Sequence, residues 1–171
     1  NELLAQYSEV VQSIDDVEIK CDLWVKIGRW YGEKLERPDY AIASLQQALQ
    51  LNNEHTPALG ALADFYRLQQ QWAELVATMT RHAELEEDPE ILTGLHLGIG
   101  ELYEDQLQNP NEAIQSYNRA LQADESSLEA LEALDRLYRM YQQWEPLVDV
   151  LGRKAGLVDD MDEVIQLKMQ I

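Results

Sequence analysis

The sequence predicts an all-α fold, built as a row of antiparallel helix pairs, and two observations support this prediction. First, residues 23–94 and 95–166 of the 171-residue sequence align without a gap and are identical at 27 of 72 positions. Second, apolar residues recur at spacings of three and four, which is typical of amphipathic helices, and no stretch sustains the period of two that strands show. Internal repeats of this size indicate an array in which neighbouring units share one core.

Each 72-residue copy contains two shorter units. Their tyrosines lie 35, 37 and 35 residues apart, at Tyr31, Tyr66, Tyr103 and Tyr138. We therefore predict four helix pairs, which span residues 16–52, 53–87, 88–124 and 125–158. The same register predicts the last helix of a preceding unit in residues 1–14 and the first helix of a following unit in residues 159–171. Because the pattern is cut at both ends, we expect the sequence to be a piece of a longer array.

The elements follow from the apolar spacing and from the residues at the breaks. In the first unit one helix carries the stripe Leu23, Ile27, Trp30, Tyr31 and Leu35, and the next carries Tyr40, Ala41, Leu45, Ala48 and Leu49. Later helices are predicted to start where a capping side chain precedes a proline, at Thr56-Pro57, Asp88-Pro89 and Asn109-Pro110. The sequence Ser-Ser-Leu-Glu at 126–129 fits a capping box that starts at Ser126.

The repeated phrase that contains Gln-Gln-Trp, at 66–76 and again at 138–148, is predicted to close the second hairpin of each copy. Its tryptophan would begin a buried helical stripe. One stripe consists of Trp72, Leu75, Val76, Met79 and Ala83, and the matching one of Trp144, Leu147, Val148, Leu151 and Ala155. Core packing is favoured over ligand stacking for this pair of tryptophans. Trp24 is expected to be partly exposed, because its counterparts in the register are polar.

The charge balance excludes some partners. The 32 acidic residues against 13 basic ones leave a formal charge of −19, which repels nucleic acid and anionic membrane surfaces. No run approaches the roughly 20 apolar residues of a membrane span, so membrane insertion is not expected. The single cysteine, Cys21, excludes an internal disulfide framework and fits a reducing, cytoplasmic location, although a cysteine-poor periplasmic protein would look the same.

No catalytic or metal-binding pattern emerges from the sequence. The three histidines, His55, His82 and His96, lack metal-ligand spacing to one another. The glycines of the stretch Gly-Leu-His-Leu-Gly-Ile-Gly at 94–100 fit neither a dinucleotide-binding nor a phosphate-binding loop. Cys21 has no neighbour that would lower its pKa, which favours a buried thiol over a nucleophile. We therefore predict a protein that is not an enzyme and needs no cofactor.

The spacing resembles that of the tetratricopeptide repeat. The segments at 24–31 and 96–103 supply Ile-Gly and a tyrosine three residues after the glycine, and the second helices supply small residues at Ala41, Ala48, Ala113 and Ala120. Departures occur in the other two units, where Ala63 and Asp135 replace the glycine and Val76 and Val148 replace the first alanine. In this family the pairs stack into a right-handed α-α superhelix, and the first helix of each pair lines a concave groove that binds segments of other proteins.

The resemblance implies which residues face the groove, counted from each tyrosine. They are Arg29, Asp64, Arg67, Glu101, Glu104, Arg136 and Arg139. These charges either recognise a partner or neutralise one another. In the second case Arg29 would pair with Asp64, and Glu101 or Glu104 would pair with Arg67, Arg136 or Arg139. A clamp for chaperone C-termini is not expected, because the family's Lys and Asn positions hold other residues here and only Lys26 fits. The residues at the other positions are Asp22, Val25, Arg29, Pro57, Gly60 and Asp64.

Three acidic clusters coincide in the 72-residue register. They comprise Asp15, Asp16 and Glu18, then Glu87, Asp88 and Glu90, then Asp159, Asp160 and Asp162. Acidic residues in the first turn of a helix cap free amides and complement its dipole, which explains them structurally. Stacked units would also align the clusters as an acidic ridge, and our hypothesis is that this ridge speeds the approach of a basic partner.

The sequence thus predicts a protein-binding scaffold whose partner is a peptide or helical segment. One interpretation of the acidic charge is that this partner is basic. Two alternatives remain at this point. The chain is a self-assembly element that forms homo-oligomers through its exposed terminal helices, or it is a regulatory domain of a larger protein.

Overall fold

The computed structural model describes Tyr7, Val10, Val11 and residues 13–157. Within these residues every regular element is helical, which confirms the all-α prediction. The helices are α1 (Val17–Arg29), α2 (Pro38–Leu51), α3 (Thr56–Leu68), α4 (Trp72–Leu85), α5 (Pro89–Asp105), α6 (Pro110–Ala123), α7 (Leu128–Met140) and α8 (Trp144–Leu157). A short π-helical turn, Trp30–Lys34, follows α1. The helix predicted at 159–171 lies outside the described residues.

The chain divides into two compact units, Asn1–Glu86 and Glu87–Ile171. In the first unit α1 packs against α2 and α3 against α4, and α2 also contacts α3. The second unit repeats this order, because α5 packs against α6, α7 against α8, and α6 against α7. Each unit is therefore two helical hairpins joined through the second helix of one and the first helix of the next.

Small residues allow the helices of each hairpin to approach closely. Ala41 and Ala48 of α2 and Ala113 and Ala120 of α6 are all fully buried, as the spacing predicted. Larger side chains fill the remaining core of the second unit, chiefly leucines of α7 and α8, which include Leu131, Leu134, Leu137 and Leu151. Burial of these side chains holds the hairpins together, since each contributes about 1.5–3 kcal/mol.

One residue with positive φ lies in the turn of each hairpin. These residues are Glu36, Gln70, Gln108 and Gln142, with φ between 50° and 55°. In the second hairpin of each unit the turn is closed by a backbone hydrogen bond to the repeated tyrosine: Gln71 N–H donates to Tyr66 O at 2.9 Å, and Gln143 N–H donates to Tyr138 O at 2.8 Å. The repeated phrase is therefore a turn, as predicted.

The predicted helix starts are confirmed at two positions and wrong by one residue at two others. Asp88 caps α5 and Asn109 caps α6 through their side chains. The cap of α3 is His55 rather than Thr56, because Nδ1 of His55 accepts from Ala58 N–H at 3.3 Å. The cap of α7 is Ser127 rather than Ser126, and Ser126 instead donates its hydroxyl to Asp124.

The tryptophan stripes differ between α4 and α8. In α4 the four residues after Trp72 in the stripe are buried and Trp72 is half-buried, in agreement with the prediction. In α8 the prediction is wrong for Trp144 and Val148, which are 59% and 44% exposed. Val150 is buried with Leu151 instead, so the buried face of α8 is rotated away from Val148, and Trp144 is the first residue of the helix.

Candidate partner-binding groove

The predicted groove residues of the first unit lie exposed on α1 and α3. Lys26 and Arg29 are on α1, and Arg29 pairs with Glu33 one turn further on, at 4.0 Å, rather than with Asp64. Asp64 and Arg67 are on α3, where Nη2 of Arg67 lies 4.0 Å from Sδ of Met79. Exposed pairs such as Arg29–Glu33 contribute little stability, on the order of 0–1 kcal/mol.

In the second unit the structure brings Glu104 and Arg136 together. Glu104 extends from α5 and Arg136 from α7, and the guanidinium contacts both carboxylate oxygens, with Nη2 at 3.0 Å from Oε2. The hydrogen bond to Glu104 raises the pKa of Arg136. This pair bridges the two helices and neutralises one carboxylate.

The other two predicted residues of the second unit have different surroundings. Arg139 pairs with Asp135 of the same helix, and Asp135 also accepts from Nζ of Lys154 at 3.2 Å. Glu101 is exposed on α5. The prediction that the charges of the groove neutralise one another therefore holds for Glu104 with Arg136, while Arg139 is held by a residue that the prediction did not name.

An open cavity of about 680 Å³ lies between α5 and α7. Its lining consists of Leu97, Glu101, Glu104, Asp105, Tyr117, Glu129, Glu132, Ala133 and Arg136. Five carboxylates against one guanidinium give this lining a formal charge of −4. Glu101, Glu129 and Glu132 are exposed, so their carboxylates are accessible to a cationic ligand.

Tyr117 fixes the position of Glu104 in this cavity. The tyrosine is only 2% exposed, and its hydroxyl donates to Oε2 of Glu104 at 3.3 Å. Burial and the neighbouring Glu104 raise the pKa of Tyr117 far above its ordinary value, so the hydroxyl keeps its proton and donates. Gly100 makes room for the ring, because a Cβ at this position would lie 2.6 Å from Cε1 of Tyr117.

Two further cavities adjoin the first and share residues with it. One lies toward the start of α5 and α7, has a volume of about 680 Å³ and shares Leu97 and Glu129. The other lies toward their ends, has a volume of about 370 Å³ and shares Glu104 and Asp105. These three neighbouring cavities share lining residues, and together we call them the α5–α7 furrow.

Sequence reasoning missed several residues of the furrow. Counting from each tyrosine identifies Glu101, Glu104 and Arg136, but not the other carboxylates or Tyr117. One signal was present, since Glu129, Glu132 and Arg136 follow one another at three and four residues and must share a face of α7. The position of Tyr117 carried no such signal, because its counterpart in the first copy is Leu45.

One aspartate from each of the first two acidic clusters caps a helix. Asp16 accepts from Ile19 N–H at 3.1 Å and so caps α1, and Asp88 accepts from the backbone N–H of Glu90 at 2.9 Å. Asp15, Glu18, Glu87 and Glu90 are also exposed in these first turns or next to them. The third cluster, Asp159, Asp160 and Asp162, lies outside the described residues.

His55, His82 and Cys21 lie in structural contacts. Nε2 of His55 lies 3.3 Å from Oδ1 of Asp22, and Nε2 of His82 lies 3.7 Å from Glu86. Cys21 is buried, its thiol faces Ala48 O at 3.4 Å, and burial raises its pKa. Within the described part of the chain, no group of three or more His, Cys, Asp or Glu residues is placed to hold a metal ion.

The described helices also bear on the membrane prediction. None of the helices in residues 13–157 has both the length and the apolarity that crossing a membrane would require.

Comparison with solved structures shows the fold. The crystal structure of MamA matches with a TM-score of 0.61 at 14% identity, covering 98% of this chain and 87% of that chain. The N-terminal domain of stress-induced protein-1 (STI-1) from C. elegans matches with a TM-score of 0.62 at 16% identity, covering 72% and 98%. PilF of Pseudomonas aeruginosa matches with a TM-score of 0.57 at 14% identity, covering 86% and 65%. These likenesses support the predicted α-α superhelix fold class.

Comparison with sequence families identifies the repeats. Two tetratricopeptide repeat models match the chain, one over residues 58–93 and the other over residues 94–127. Comparison with curated proteins gives no match. The tetratricopeptide repeat is generally a non-enzymatic module for protein–protein interaction. Residues 58–127 of this chain thus match the tetratricopeptide repeat family.

Proposed function

We propose that this chain is a non-enzymatic scaffold that binds a segment of a partner protein in the α5–α7 furrow. The observation that carries the proposal is the open cavity of about 680 Å³ between two first helices of neighbouring hairpins. Its walls contain three residues for which the resemblance to the tetratricopeptide repeat implied a place in the groove, namely Glu101, Glu104 and Arg136. Concave sites with a few convergent polar groups are the usual binding sites of folded domains.

The charge of the cavity favours a basic partner segment. Glu104 is already paired with Arg136, but Glu101, Glu129 and Glu132 are exposed at the cavity wall. A lysine or arginine side chain that enters the cavity would meet these carboxylates and would lower their mutual repulsion. The overall charge of −19 would also attract a basic partner at long range.

A displayed library of random peptides tests this proposal. The library is selected on the purified chain, and the enriched peptides are then measured on the double variant Glu101→Lys/Glu132→Lys. A matched control, Glu54→Lys/Glu84→Lys, makes the same change of net charge at two exposed residues of the first unit, outside the furrow. The proposal predicts that the peptides bind the parent chain and the control, and that they lose at least tenfold in affinity on the furrow variant. Equal affinity for all three proteins would refute it.

The variant Arg136→Gln separates the two interpretations of the groove charges. If Arg136 mainly neutralises Glu104, its removal frees a carboxylate and raises the affinity for basic peptides. If Arg136 instead binds an acidic group of the partner, the same change lowers the affinity. The contact of Arg136 with both oxygens of Glu104 favours the first outcome. Isothermal titration calorimetry with an enriched peptide measures the change.

The alternative functions concern parts of the protein beyond the described furrow. Self-assembly into homo-oligomers through terminal helices depends in part on residues 159–171, which lie outside the described residues. Light scattering over a range of concentrations tests it, since a constant monomer mass would contradict it. A regulatory role in a larger protein, and the cytoplasmic location, stay predictions from the sequence.

A further inference from the structure

We propose that the partner segment is an extended peptide in which a basic residue and a large apolar residue lie about four positions apart. This inference rests on the proposed function and specifies its ligand. It follows from three features of the α5–α7 furrow, namely its charged cavity, the smaller cavity beside it, and the contact that bridges its walls.

The smaller cavity of about 370 Å³ offers an apolar site next to the charged one. Its lining includes Pro110, Leu137, Met140 and Tyr141. Met140 and Tyr141 are 61% and 46% exposed, so two large side chains at the end of α7 expose apolar surface to solvent. Burying such surface under an apolar side chain of a ligand is favourable, by roughly 25 cal/mol per Å².

The two cavities are close enough for one short segment to occupy both. They share Glu104 and Asp105, so the charged lining continues into the apolar site. Along α7, Glu132 and Met140 are eight residues apart, which corresponds to about 12 Å at 1.5 Å per residue. An extended peptide rises about 3.3 Å per residue, so about four residues cover this distance.

The contact between Glu104 and Arg136 favours an extended segment over a helical one. Glu104 belongs to α5 and Arg136 to α7. At this position the two walls of the furrow are therefore close enough for one side chain from each wall to touch the other. An α-helix with its side chains is about 10–12 Å wide and could not enter without breaking this pair. A single extended strand can lie over the bridge and place its side chains on either side of it.

Synthetic peptides of defined composition test the inference. Fluorescein-labelled Gly/Ser peptides carry a pair of arginines and one phenylalanine, and the separation between arginine and phenylalanine is varied from two to eight residues. Fluorescence anisotropy measures their binding to the parent chain and to Met140→Ser/Tyr141→Ser, which removes the exposed apolar side chains. A parallel series with alanine in place of phenylalanine reports the contribution of the apolar residue.

The inference predicts tightest binding near a separation of four, with at least a fivefold loss when alanine replaces phenylalanine. On Met140→Ser/Tyr141→Ser that fivefold difference should disappear, while the binding of the alanine peptides stays unchanged. Equal binding at all separations, an optimum near eight as a helical ligand would give, or no binding by any peptide of the series would overturn it. If library-selected peptides still depend on Glu101 and Glu132 in that case, the proposed function stands and only its two-part ligand is wrong.

Discussion

Replacing Gly100 by alanine should destabilise the second unit, although glycine is normally a poor residue in a helix. Gly100 lies in the middle of α5, where alanine gains about 1 kcal/mol from helix propensity alone. Against this gain, the added Cβ would lie 2.6 Å from Cε1 of Tyr117 and 2.8 Å from its Cδ1. The ring is buried, so it cannot move aside without disturbing the core, and such overpacking costs about 1–3 kcal/mol.

The hydroxyl of Tyr117 adds to this cost. If the ring moves, its hydrogen bond to Glu104 is lost, and a hydrogen bond to a charged group contributes about 1.5–3 kcal/mol. The sum of these effects is a net loss of about 1.5–5 kcal/mol in the free energy of unfolding. Because Glu104 lines the furrow, the same variant should also weaken the binding of basic peptides.

A second glycine of α5 provides the matched control. A Cβ at Gly94 would have no neighbour within 4 Å, so Gly94→Ala should stabilise the protein by about 1 kcal/mol. Urea denaturation followed by circular dichroism measures both variants, and hydrogen exchange of the amides of α5 and α6 assigns the change to the second unit. The reasoning is refuted if Gly100→Ala proves as stable as Gly94→Ala.

Three further predictions concern the turns, a histidine and the acidic clusters. Gln70→Gly and Gln142→Gly should each stabilise the protein by about 0.5–1 kcal/mol in urea denaturation, because both residues have positive φ, whereas Gln69→Gly, with φ of −86°, should not. Burial and Arg119 lower the pKa of His96 in the folded protein, so His96 binds a proton more readily in the unfolded chain than in the folded one. Stability should therefore fall as the pH drops below 6.5, and this part of the fall should be absent in His96→Gln. If the acidic ridge speeds association, reversing the charge at Asp15, Glu87 and Asp159 should lower the association rate of a basic peptide more than it changes the dissociation rate. Stopped-flow experiments at low salt measure both rates.

The sequence was sufficient for the helices and for their close contacts. Helical periodicity depends only on which residues are apolar, and the buried Ala113 and Ala120 follow from the repeat register. Gly100 is a glycine of the tetratricopeptide pattern, and in the structure it allows close packing against Tyr117. The cap at His55 was not predictable from propensity, because histidine is not among the preferred capping residues and acts here through Nδ1.

The site was less predictable than the fold. Counting from each tyrosine gives positions along one helix, but the furrow depends on which carboxylates of α5 and α7 converge across the space between them. That convergence requires the distance between the helices, which the sequence does not contain. It also requires Tyr117 of α6, whose hydroxyl reaches Glu104 from the second helix of the hairpin.

The two copies of the 72-residue repeat use the same helical contacts with different residues. In the first unit a Cβ at Gly28 would lie 3.0 Å from Cγ of Leu45, and in the second Gly100 stands in the same relation to Tyr117. The close approach of the paired helices is thus kept in both units. Only the second unit gains a hydroxyl at that contact, and the hydroxyl holds Glu104.

The counterpart of Glu104 in the first copy is Gly32, and this exchange changes how the first helices of the two hairpins meet. Gly32 has no room for a Cβ because the ring of Phe65 from α3 lies against it, and α1 contacts α3 directly. At the equivalent place in the second unit, Glu104 reaches Arg136 and lines an open cavity. An apolar contact in one copy thus corresponds to a charged furrow in the other. Since the order of the helices is the same in both units, the proposed capacity to bind a basic segment depends on the side chains exchanged at this place and not on the repeat fold itself.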